Sequence, residues 1–194
     1  YPFDSSEYGG SNADDVTAII GGSGDDTAYD GTVNGATYQS SGGVTDINAG
    51  ANSGAFDFSN DTIEIPNNVT QDLTPTGTFS ITFWINADSL GSYQYVLDLK
   101  AFFDYKMVIR NSNSIYFEEF TGSVENDVEV PLSTTYTHIG LTYDNKSVEM
   151  YKNGSIGDTA TFSGPEGRSQ TQYIGGQQDS QRFTDGVLDD IRFY

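Results

Sequence analysis

The run ENDVEV places three carboxylates, Glu125, Asp127 and Glu129, at alternate positions. On a β-strand, side chains alternate between faces, so all three share one. Two carboxylates on one face can serve as nucleophile and acid/base in glycoside hydrolysis, where the retaining reaction needs them about 5–5.5 Å apart. An i, i+4 strand pair is further apart along the backbone, and only side-chain reach closes the gap. No aromatic-rich cleft pattern surrounds the run. Hydrolysis by Glu125 and Glu129 therefore ranks behind binding.

Binding chemistry is better represented. The segment GGQQDSQRF, residues 175–183, gathers Gln177, Gln178, Asp179 and Arg182 beside Phe183. Amides, a carboxylate and a guanidinium next to a ring suit the recognition of hydroxyl groups. The competing explanation is a hydrophilic hairpin tip. GSYQY (91–95) and KAFFDY (100–105) are further loop candidates. Trp84 stands on the polar side of its strand, as a sugar platform would, but a lone Trp usually packs. His138 has no Ser or Cys nucleophile signature around it. GSGDDTAYDG lacks the Lys of a phosphate loop, and its acids would repel phosphate. In YFEEF, the pair Glu118-Glu119 reads as solvated.

The charge balance narrows the partners. Asp and Glu number 28 against 8 Lys and Arg, for a net charge of -20 in 194 residues. Such a surface repels nucleic acid and anionic lipid, and leaves calcium and polyhydroxylated ligands compatible. The self-repulsion is screened by salt, which fits a secreted protein of a halophilic or marine setting. No Cys is present, so a packed core or metal ions must hold the fold without disulfides. Sequons at Asn60, Asn68, Asn145 and Asn153 are permissive for glycosylation of a secreted chain. No apolar run of membrane-spanning length occurs, so direct membrane insertion is not expected. The ends at Tyr1 and Tyr194 read as those of a mature or excised domain.

These residues need short strands to position them. Helical periodicity is absent, and alternating segments are separated by Gly, Asn, Asp and Ser clusters. FSITFWIN (79–86) is the clearest, with Phe79, Ile81, Phe83 and Ile85 facing one way. Further strands are expected at 36–39, 54–58, 62–65, 95–99, 106–110, 114–120, 137–143, 147–153, 171–176 and 188–194. Asp144-Asn145-Lys146 and Asn153-Gly154 read as hairpin turns. Residues 5–31 read as a long polar surface loop in which only VTAII is buried. Nothing marks a domain boundary, so residues 1–194 are taken as one domain. Many short strands at regular spacing predict an antiparallel two-sheet β-sandwich, with Ile139, Leu141 and Ile191 joining the core.

Several landmarks then resemble a known pattern: YPFD at the start, GTVNGAT (31–37), SGAFDFSNDTIEIP (53–66), DLTPTGTFSITFWINADSL (72–90), VPLSTTYTHIGLTYDNKSVEMYKNGS (130–155), YIGG and the closing GVLDDIRFY. In this order they resemble the LamG-like jelly roll of the concanavalin A-like lectin/glucanase superfamily. Tyr136 replaces the family's usual Trp, and the longer 14–30 region replaces its early loop. The resemblance implies a structural Ca²⁺ tying the early loop to the last strand, with Asp26, Asp30 and Asp189 as ligands. The alternative for these acids is a solvated surface. The ENDVEV spacing is also similar to the catalytic strand of glucanases that share this sandwich.

The expected function is a non-catalytic extracellular recognition or adhesion module that binds a carbohydrate or surface glycoconjugate. The alternative is a structural or assembly domain of a cell-surface or filament protein, contacting copies of itself.

Overall fold

The computed structural model describes residues 12–13, 31–40, 43–44, 54–65, 77–99, 105–120, 125–164, 171–177 and 182–194. The strands are β1 (Asn12–Ala13), β2 (Gly31–Asn34), β3 (Thr37–Gln39), β4 (Ala55–Ser59), β5 (Thr62–Ile65), β6 (Thr78–Ala87), β7 (Gln94–Leu99) and β8 (Tyr105–Arg110). They continue with β9 (Ser114–Phe120), β10 (Glu125–Pro131), β11 (Thr137–Asp144), β12 (Ser147–Lys152), β13 (Ser155–Thr161), β14 (Gln172–Ile174) and β15 (Asp185–Phe193). One sheet has eight strands in the order β1-β2-β5-β14-β7-β8-β9-β10; the other has seven, β13-β12-β11-β6-β15-β4-β3. The named strand pairs are antiparallel, and the sequential neighbours in each sheet are broken by crossovers, as in a jelly roll.

The core forms where the two inner faces meet. Phe79, Ile81, Phe83 and Ile85 of β6, Ile139 and Leu141 of β11, and Ile191 of β15 are buried in it, as their alternation predicts. The facing sheet contributes Tyr105, Met107 and Ile109 of β8 and Ile115 and Phe117 of β9. Tyr105 sits among Phe79, Phe117, Tyr143 and Phe162, with centroids 5.1–6.3 Å from its own, so one ring joins both sheets. Each large apolar side chain removed from water contributes about 1.5–3 kcal/mol, and no cross-link adds to this.

Turn chemistry sets the registers. Asn145 and Lys146 have φ of 47° and 79°, and Asn153 and Gly154 have 50° and 78°, the left-handed pairs that two-residue hairpin turns demand. The Asn153 Oδ1 also accepts the His138 N–H at 2.9 Å. Gly175 has φ +81° and lies so close to Phe58 that a Cβ would fall 2.1 Å from its ring. In β15, strict alternation fails: the register shifts between Asp189 and Arg192, and Asp190 takes φ 49°. The shift lets Leu188 and Ile191, three apart, both face the core. Asp190 pairs with Arg192 at 2.6 Å.

Four strands are absent from the list predicted above: β1, β2, β10 and β13. The polar β13 is an edge strand whose Ile156 is 59% exposed, so no alternation betrays it. β1 lies inside the region read as loop. The solvated reading of Glu118-Glu119 is overturned, since both are 0% exposed. They point to opposite faces. Glu119 turns to the inner side at one end of the sandwich, where it accepts the Ser163 N–H at 2.6 Å, the Gly164 N–H at 2.8 Å and the Asn126 amide at 2.9 Å. A carboxylate so supplied with donors is stable when buried, and it fastens the segment after β13 to β9. Glu119→Ala removes the acceptor of two part-buried backbone N–H groups. Chemical denaturation should register a loss of about 1.5–3 kcal/mol relative to wild type.

Candidate functional site

The outer face of the eight-stranded sheet carries a second apolar cluster, separate from the core. Tyr95 (β7), Val108 (β8) and Tyr116 (β9) form it, with Tyr93 packed against them. The register explains the island, because Tyr95 pairs with Val108 and Val108 with Tyr116 across three strands. Most solvent-facing sheet surfaces are polar, so a tyrosine-rich island there is an aromatic surface with polar tips.

A row of charge runs beside it. Glu64 pairs with Tyr173, Tyr173 with Asp98, Asp98 with Lys106, Lys106 with Glu118 and Glu118 with Asp127, in successive strands β5, β14, β7, β8, β9 and β10. The core-facing neighbours of each, such as Ile63, Leu97, Met107 and Phe117, put these side chains on the outer face. Glu118 is the hub. Lys106 Nζ lies 2.9 Å from its Oε2 and an Arg110 nitrogen 2.6 Å from its Oε1. Arg110 also reaches Asp127 at 3.1 Å. Burial works against the Lys106 ammonium, but its hydrogen bond and attraction to Glu118 win and raise its pKa. Burial and the Glu118 charge push the Tyr93 hydroxyl up, so it stays protonated at neutral pH.

Cations stack on the rings. The Arg110 guanidinium lies 4.3 Å from the Tyr116 centroid, and Arg182 lies 4.9 Å from that of Tyr93. Backbone bonds fix the approach of Arg182: its carbonyl accepts the Tyr95 N–H at 3.1 Å, and the Thr184 hydroxyl donates to the Tyr95 carbonyl at 2.7 Å. The accessible part of the face is half-buried Tyr93, exposed Arg182 and the outer portions of Arg110 and Asp127. Such a mixture of ring surface, guanidinium and carboxylate can hold hydroxyl groups and the apolar face of a ring-shaped ligand.

Of the sequence-predicted ligand residues, Arg182 is therefore at this face. Gln177 is described and half-buried; Gln178 and Asp179 lie outside the described residues. The GSYQY loop supplies Tyr93 and Tyr95. Lys106, Arg110, Tyr116 and Glu118 were not among the candidates, although the polar positions of KMVIR and SIYFEEF mark them once the strands are paired.

The metal candidates lie elsewhere. Asp189 pairs with Trp84 on the outer face of the seven-stranded sheet, so the core separates it from Arg182. It is 1% exposed, and its Oδ2 accepts the Val44 N–H at 2.7 Å. Asp26 and Asp30 lie outside the described residues. Ca²⁺ needs six to eight oxygens, and among the described residues no group of three or more His, Cys, Asp or Glu could hold a metal. Trp84 packs on His138, centroids 5.0 Å apart. Burial lowers the His138 pKa, which favours a neutral ring in a packing role.

For hydrolysis, β10 puts Asp127 and Glu129 on the outer face at the sheet edge, with Glu125 in register. Asp127 is engaged with Arg110, Glu129 is exposed, and the side chain of Glu125 is outside what is described. Asn60, Asn145 and Asn153 are exposed on turns, accessible to modification; Asn68 lies outside the described residues.

Two packed antiparallel sheets with a decorated outer face define a jelly-roll domain of the lectin type. A family model for the concanavalin A-like lectin/glucanases superfamily matches residues 57–194, and the chain belongs to that superfamily. No curated protein matches it by sequence. Among solved structures, it is similar to the binding domain of botulinum neurotoxin DC in complex with SialylT (TM-score 0.60, 16% identity, 88% of this chain and 44% of that one). It is also similar to botulinum neurotoxin type C, whose cell entry depends on two ganglioside molecules (TM-score 0.55, 15% identity, 95% and 48%). A third is the CBM40 of the Ruminococcus gnavus IT-sialidase bound to alpha2,3 sialyllactose (TM-score 0.50, 16% identity, 61% and 76%). The chain spans about half the length of the neurotoxin chains it matches. At these identities the likeness establishes the fold.

Removing Glu118 leaves two cations facing each other without their shared anion. Glu118→Gln should cost about 3–5 kcal/mol, and the double change Lys106→Met, Glu118→Leu should cost less, since an apolar pair carries no uncompensated charge. The pH dependence follows from the raised pKa values of Lys106, Tyr105 and Tyr93. A group held protonated by folding contributes fully below its unfolded pKa and loses that contribution above it. Unfolding free energy should therefore hold steady through neutral pH and fall as pH climbs past about 10, where free Tyr and Lys titrate. Denaturation curves across pH 7 to about 11 test it.

Proposed function

We propose that this domain is a non-catalytic, extracellular recognition or adhesion module that binds glycan on the outer face of its eight-stranded sheet. The observation that carries this reading is the tyrosine island flanked by Arg182, Arg110 and the acid row. Tyr93 offers the ring, and Arg182 and Asp127 offer the donors and acceptors that orient hydroxyls. The printed ligands of similar folds, gangliosides and sialyllactose, support a carbohydrate partner. Hydrolysis finds less support, because Asp127 is engaged by Arg110 and Glu129 stands on the exposed edge strand.

Calcium belongs to the proposal as a structural ion near Asp189. Its support is a buried carboxylate that already fastens residue 44 to the closing strand, the junction such an ion would reinforce. Secretion into a saline medium accounts for the charge of -20, which salt screens.

A glycan array with and without EDTA tests recognition. Tyr93→Ala should weaken binding at least about tenfold while the variant stays folded, with a modest fall in melting temperature from the lost packing on Tyr95, Val108 and Tyr116. Silence on a broad array, together with filaments in negative stain, would transfer the proposal to a surface-assembly domain. For the ion, millimolar Ca²⁺ should raise the melting temperature of wild type and leave Asp189→Asn unmoved. No shift in wild type would remove calcium from the proposal.

A further inference from the structure

We infer that the recognition face selects uncharged glycans and rejects those that carry carboxylates. This specificity rests on the glycan reading of the same face and adds to it a ligand class.

Three cations among the described residues face outward there: Lys106, Arg110 and Arg182. Against them stand Glu64, Asp98, Glu118 and Asp127 in the transverse row, and Glu129 opposite Tyr116. Among the described residues, three positive and five negative charges leave the face at -2, within a chain at -20. The distribution matters more than the sum. Lys106 and Arg110 are both held on Glu118 at 2.9 and 2.6 Å, and Arg110 also on Asp127 at 3.1 Å. A carboxylate on a ligand would compete with these internal partners for the same donors. It would also enter a row of acids that have no room to move away, since Asp98 is 2% exposed and Glu118 0%.

A neutral sugar meets neither obstacle. Its hydroxyls donate to Asp127 and accept from Arg182, which stays stacked on Tyr93. Like charges at such a face discriminate by repulsion, which is a common route to specificity.

The experiment is an array in which each neutral galactose-terminated oligosaccharide sits beside its sialylated counterpart, read at low and high salt. Neutral members should bind, and their sialylated counterparts should bind at least about tenfold more weakly at low ionic strength, with the gap narrowing near 1 M salt, where the screening length is about 3 Å. The double variant Glu64→Gln, Asp127→Asn should narrow the gap at low salt. Equal or tighter binding of the sialylated members by wild type overturns the selectivity and leaves glycan recognition standing. A gap that neither salt nor the double variant changes overturns its electrostatic origin. Binding of neither class overturns the recognition reading, and the selectivity falls with it.

Discussion

Glu118 and Glu119 are consecutive residues of β9, and each is a buried carboxylate that the fold has to compensate separately. Taking an ion out of water costs several kcal/mol unless donors or counter-charges replace the solvent. The pleat sends the two to opposite sides of the sheet, so no partner can serve both. On the inner side, Glu119 gathers backbone N–H groups from residues 163 and 164 and the Asn126 amide, and thereby closes one end of the sandwich. On the outer side, Glu118 gathers Lys106 and Arg110 and thereby builds the charged row of the recognition face. One dipeptide connects the stability of the sandwich to the chemistry of its surface.

The coupling has a further consequence for rigidity. Arg110 is held by Glu118 and the Tyr116 ring on β9 and by Asp127 on β10. A guanidinium fixed from three directions loses little additional freedom when a ligand arrives. Arg182 is positioned differently, through backbone bonds of its own segment to β7 and through stacking on Tyr93. The face is thus arranged before binding, on strands rather than on loop tips.

The architecture was legible because the inner faces obey a period of two. FSITFWIN, THIGLTY and the two Asn-centred turns state their burial and their φ angles directly, and every core position named from β6, β11 and β15 is buried. β13 was not legible, because an edge strand with both faces polar has no alternation to read. Glu118 and Glu119 misled for a related reason. Composition marks a Glu pair as solvated, and only the registers β8–β9 and β9–β10 reveal Lys106, Arg110 and Asp127 beside it. Arg182 and the GSYQY tyrosines were found from their types alone. Their convergence was not, since Tyr93 and Arg182 are 89 positions apart and are brought together by the bonds of Tyr95 to the Arg182 carbonyl and the Thr184 hydroxyl.

The two outer faces of the sandwich have been put to different uses. The seven-stranded sheet places Trp84 on His138 and ties the buried Asp189 to the residue 44 N–H, so these two polar-side positions are engaged in packing and hydrogen bonding. The eight-stranded sheet spends its buried charges on one another and leaves Tyr93 and Arg182 at the surface. A ligand gains from a site in proportion to what it does not have to break. The seven-stranded face would require breaking the bond from the residue 44 N–H to a buried carboxylate, whereas the eight-stranded face already presents a half-buried ring and an exposed guanidinium stacked on it. On that difference in cost, recognition belongs to the sheet that carries the tyrosine island.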